Sequence, residues 1–95
     1  MSTLLSPAKV SATYRYGRGI VIEVSGCESG VENVRIRSAG SMPLEFPMFV
    51  VEADETSGVR VAPYEARIDF AVCRVPDAIV MHSLKGSRRY EVRPR

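Results

Sequence analysis

Residues 9–25 read KVSATYRYGRGIVIEVS, and their period of two decides the fold class. Val10, Ala12, Tyr14 and Tyr16 alternate with Lys9, Ser11, Thr13 and Arg15, the pattern of a strand with one apolar face and one wet face. Ile20, Ile22 and Val24 repeat it. Between the two runs Gly17-Arg18-Gly19 is a glycine-flanked connection of hairpin length.

The same alternation recurs outward along the chain. Val34 and Ile36 oppose Arg35 and Arg37. Ala66, Ile68, Phe70 and Val72 oppose Arg67, Asp69 and Ala71, and Tyr90 and Val92 oppose Arg89, Glu91 and Arg93. AIVMHSL at 78–84 runs into Lys85-Gly86-Ser87, a second hairpin signal. No window of about a dozen residues carries helical spacing. Half-apolar strands of this kind belong to antiparallel sheets. Turn signals at 17–19, 26–30, 39–41, 54–58, 75–77 and 85–87 predict about seven strands. The expected fold is all-β: a small antiparallel β-sandwich of immunoglobulin-like size, with a partly open barrel as the alternative. The chain has no Trp, so the core hallmark of antibody domains is missing.

Ninety-five residues correspond to one domain, 1–95, with 1–8 and 94–95 expected as loose ends. A chain this short needs nearly all its large apolar side chains for one core, which leaves little room for a deep cofactor cavity. No apolar run approaches the ~20 residues of a membrane span. The start, MSTLLSPAKV, lacks the basic and apolar regions of a signal peptide. A cytoplasmic location is therefore expected, with Cys27 and Cys73 as reduced thiols.

The stretch SMPLEFPMFVVEAD, residues 41–54, carries prolines at two odd positions, 43 and 47. Both missing donors then fall on one edge of an extended strand, as at a guarded sheet rim. Continuing the parity from residue 44 puts Leu44, Phe46, Met48 and Val50 on the core face. Phe49 and Val51 then lie on the outer face. With Glu45 they are the candidate protein interface.

Chemistry-bearing motifs are sparse. The one histidine, His82, faces the opposite side of its strand from Ser83, so the two do not form a nucleophile–base pair. Cys27, Cys73 and His82 are too few and too scattered for structural zinc. Met42, Met48 and Met81 would suit copper(I) with the two cysteines, but read as packing. No catalytic set, metal or cofactor is expected. GRGI at 17–20 lacks the third glycine of a dinucleotide fingerprint. IEVSGCESG at 22–30 is similar to the D-x-S-x-x-G turn of PilZ-type cyclic-dinucleotide barrels. Glu23 replaces the Asp, Glu28 replaces the glycine, and Arg15 and Arg18 are too closely spaced, so that family's ligand residues are not carried over. The layout as a whole resembles small bacterial β-sandwich modules.

Net charge is only +2, but eleven of the thirteen basic residues are Arg, and charge is clustered along the chain. Glu45, Glu52, Asp54 and Glu55 form an acidic block, and KGSRRYEVRPR at 85–95 a basic one. Two functional expectations follow. The first is a non-enzymatic module that contacts another protein or itself as a homodimer. The second is a nucleic-acid or phosphate-ligand binder using Arg88, Arg89, Arg93, Arg35 and Arg37.

Overall fold

The computed structural model describes residues 2–39, 46–72 and 74–93. Eight strands and no helix are present among them: β1 (Ser2–Leu5), β2 (Lys9–Arg15), β3 (Gly19–Ser29), β4 (Val31–Ser38), β5 (Met48–Glu55), β6 (Val61–Phe70), β7 (Ala78–Ser83) and β8 (Gly86–Arg93). They form one mixed sheet in the order β1-β5-β7-β8-β2-β3-β6, with β4 on β5, curled into a half-barrel.

The sequence alternation is satisfied by this curl as well as by a sandwich. Each architecture gives every strand a dry inner face and a wet outer face. Two pairings depart from the antiparallel expectation: β2 runs parallel to β8, and β5 parallel to β7. Parallel neighbours need a long crossover. For β5 and β7 that crossover contains β6, which has left to pair with β3.

A strand has two edges, and β5 uses both. Its partner along 49–55 is β4. Residues 48–50 pair with β7 and residues 51–54 with β1. Because β4 holds one edge throughout, β7 and β1 lie end to end on the other. The N-terminal segment, expected to be loose, is thus a ladder strand, with Leu5 only 4% exposed. Its burial is supplied by β5 rather than by any local pattern, which is why a two-residue apolar signal was too short to read.

The core is the inner face: Leu5, Ala12, Ile20, Ile22, Val24, Ile36, Phe49, Val51, Ala53, Ile79 and Met81. Burying each large member contributes about 1.5–3 kcal/mol. Phe49 meets Phe70 edge to face, with ring centroids 5.1 Å apart. Three buried residues, Val21, Val50 and Ala78, lie outside this cluster. Val21 sits in register between Thr13 and Asp69, and Val50 between Arg37 and His82.

Local chemistry fixes the turns. The β2–β3 hairpin closes with Arg18 N–H donating to Arg15 O at 3.0 Å. Gly19 has φ +92, and a Cβ there would lie 2.3 Å from the Phe70 carbonyl oxygen, so only glycine fits. Tyr16 leaves the β2 face and is almost fully exposed at the turn. Gly26, expected in a turn, lies inside β3 opposite Tyr64, whose hydroxyl would be 2.7 Å from an added Cβ. Burial pushes the Tyr64 phenol above its ordinary pKa, with Glu28 and Cys27 adding to the shift.

Candidate functional site

The candidate interface residues Phe49 and Val51 are both 0% exposed, which corrects the face assigned to them. The parity that governs β5 comes from its charged half. Glu52 and Asp54 need the wet face, so Phe49, Val51 and Ala53 take the dry one. Glu45 and Met42 lie outside the described residues, as does Cys73 and hence any meeting with Cys27. Met81 is buried in the core, and Met48 is half-buried at the start of β5. Among the described residues no group of three or more His, Cys, Asp or Glu is placed to hold a metal ion. No helix among the described residues is long and apolar enough to cross a membrane.

The five candidate arginines are divided among separate surfaces. Arg35 and Arg37 lie beside the acidic strand. Arg35 Nε and Arg37 Nε are 3.4 and 3.1 Å from Glu52 Oε1, and Arg35 Nη1 is 3.1 Å from Asp54 Oδ1. A register shift between Glu32 and Arg35 creates this arrangement. Asn33, at φ 54, takes the left-handed conformation that Asn tolerates and donates its amide to Asp54 Oδ2 at 3.1 Å. That hydrogen bond first, and the Arg35 guanidinium second, hold the Asp54 carboxyl below its ordinary pKa.

The β8 arginines split by parity. Arg89 and Arg93 share one face with Glu91; the Arg89 guanidinium lies 5.4 Å from the Phe46 ring centroid, and Arg93 pairs with Thr13. Arg88 falls on the other face with Tyr90 and Val92, which pack against the core. It opposes Met81 in the β7 ladder.

Arg88 therefore reaches the mouth of the half-barrel. There a recess of about 500 Å³ is lined by Ser6, Ala8, Ser83, Lys85, Arg88 and Tyr90, with Pro7, Met81, Gly86 and Ser87 completing it. No carboxylate is in that lining. Ser83 Oγ donates to Gly86 O at 3.3 Å and accepts from Lys85 N–H at 3.2 Å, which braces the hairpin that carries Lys85. A neighbouring cleft of about 850 Å³ shares Ala8, Arg88 and Tyr90 and adds Lys9 and Arg67, but also Glu23 and Glu65. These two clefts follow from the splay of β8: it pairs with β2 only at Val92 and Arg93, leaving Gly86–Tyr90 unpaired on that edge.

His82 lies outside this mouth. It is exposed, with Nδ1 2.9 Å from Ser87 Oγ, a bond whose donor is set by the ring tautomer. Arg88 and Tyr90 line one recess because residues two apart on a strand share a face, a signal the sequence carries. The contribution of Lys85 and Ser6 carried no local signal, because it depends on where the 6–8 linker crosses. Compared with known proteins, the chain matches no family model, no curated protein and no solved structure.

Proposed function

We propose that the chain is a non-enzymatic binding module that takes a small phosphate-bearing ligand in the mouth between the β7–β8 hairpin and the 6–8 linker. One observation carries this reading: Arg88 and Lys85 converge on a recess lined by no carboxylate, whereas Arg35 and Arg37 are neutralised by Glu52 and Asp54. A guanidinium and an ammonium a few residues apart suit a phosphate, the first as a planar fork and the second as a point charge. Tyr90 offers an aromatic wall beside them. A small ligand is favoured over a nucleic-acid strand because a strand needs a continuous cationic track. Arg88 faces one way from β8 and Arg89 and Arg93 the other, and Glu23 and Glu65 interrupt the adjoining cleft. The non-enzymatic reading is supported by the position of His82, on the outer face and bonded to Ser87.

Titration with inorganic pyrophosphate at low salt, followed by amide chemical shifts, tests the assignment. Saturable shifts should centre on 83–90 and 6–9. A charge-assisted hydrogen bond contributes ~1.5–3 kcal/mol, so Arg88→Ala should weaken binding about tenfold or more, while Arg60→Ala should leave it unchanged. Shifts scattered over every exposed arginine, or equal affinity in Arg88→Ala, would overturn the proposal.

A further inference from the structure

The sheet ends at β6. This ten-residue strand pairs with β3 alone, and β4, which approaches it, shares no ladder with it. Its inner residues Tyr64, Ala66, Ile68 and Phe70 pack against the core yet remain half-buried, as expected where a sheet stops one strand early. On its outer face Glu65, Arg67 and Asp69 are exposed and alternate in sign. Edges are guarded against pairing by Lys, by Pro or by a bulge; β6 carries one such residue, Pro63, near its start, and none from Tyr64 to Phe70. Alternating signs instead make an edge complementary to itself in particular registers.

We propose that two copies of this chain join through antiparallel β6–β6 pairing about a twofold axis at Ala66. In that register Glu65 of each copy stands opposite Arg67 of the other, Tyr64 opposite Ile68, and Ala62 opposite Phe70. The strands overlap from Ala62 to Phe70, with Asp69 opposite Pro63, which has no N–H to donate, so the continuous ladder runs from Tyr64 to Ile68. Shifting the axis to Arg67 sets Arg67 against itself and Glu65 against Asp69, both repulsive. An axis at Ile68 again gives opposite charges, Arg67 with Asp69, but overlaps only Ala66–Phe70 within the strand. Charge and length of overlap together select Ala66. The twofold is the symmetry an isologous contact requires. The contact is independent of the phosphate mouth, whose lining includes no β6 residue.

Sedimentation equilibrium on the full chain and on Glu65→Arg, Arg67→Glu and the double exchange tests the register. The wild type should dimerise. Each single reversal sets like charges opposite at two symmetric positions and should weaken the dimer about tenfold or more. The double exchange restores opposite charges and should recover it. Should a single variant fail to fold, amide hydrogen exchange on the wild type supplies the second measurement: the β6 amides that point away from β3 should be protected at high concentration and lose protection on dilution. A monomer at every concentration, a dimer indifferent to the three variants, or protection of the outward-pointing β6 amides that does not change with concentration would each overturn the proposal.

Discussion

The acidic strand β5 and the basic strand β8 are treated by the sheet in opposite ways. The acidic strand β5 is central, with β4 along one edge and β7 and β1 along the other. Glu52 and Asp54 are held within an ion-paired array, and Glu52 retains only 13% side-chain exposure. The basic strand β8 pairs fully with β7 but touches β2 only at its end, and Arg88, Arg89 and Arg93 form no ion pair with a described carboxylate. Clustered charge in a sequence is thus no guide to where charge is available. Availability depends on which neighbour the sheet provides.

The largest effect that tests this contrast concerns Phe49. If β5 is the centre of the core, Phe49→Ala should cost about 3–5 kcal/mol, seen as a large fall in the denaturant midpoint. That is a substantial share of the ~5–15 kcal/mol typical of a small domain. Phe70→Ala should cost less, since Phe70 is only half-buried at the β6 edge. A stable Phe49→Ala protein would return Phe49 to the surface.

A smaller effect separates the two charged strands directly. Glu52→Lys sets a third cation beside Arg35 and Arg37 at a mostly buried position. After allowing for solvent screening of those two half-exposed arginines, it should cost about 1–2 kcal/mol. Arg88→Glu reverses charge at the mouth and should change stability by no more than about 0.5 kcal/mol in thermal melts, because no described ion pair is lost. Equal destabilisation by the two changes would remove the distinction between a structural and an available cation.

Most of the sheet was legible from alternation. β2, β3, β4, β6, β7 and β8 appear near the expected positions, and Ala66, Ile68 and Phe70 face inward as their parity requires. The errors have two causes. Where a strand is buried on both faces, as β5 is at Phe49, Val50 and Val51, a short apolar run carries no parity of its own. The neighbouring charges of Glu52 and Asp54 do carry it. The parallel pairings and the end-to-end placement of β7 and β1 depend on long-range topology, which alternation does not encode. The mouth was invisible for the same reason: Ser6, Lys85 and Arg88 line one recess only because β1 sits beside β5 while β2 sits beside β3.

The finest test of the contrast uses acid. Asn33 and Arg35 bind the charged form of Asp54 and depress its folded pKa. A depressed folded pKa means that the unfolded chain takes up its proton first as pH falls. The stabilisation is therefore present above about pH 4, the ordinary carboxylate range, and is lost as pH drops through the lower folded value. The melting temperature of the wild type should exceed that of Asp54→Asn near neutrality, and the gap should close below about pH 4. Added salt should narrow it at neutral pH, because the site is solvent-exposed. Arg88→Ala compared with the wild type should show no such closing gap, since no described carboxylate titrates against Arg88. A gap for Asp54→Asn that stays constant into acid would mean that the β4–β5 array is held by packing alone, and the electrostatic difference between β5 and β8 would then reduce to burial.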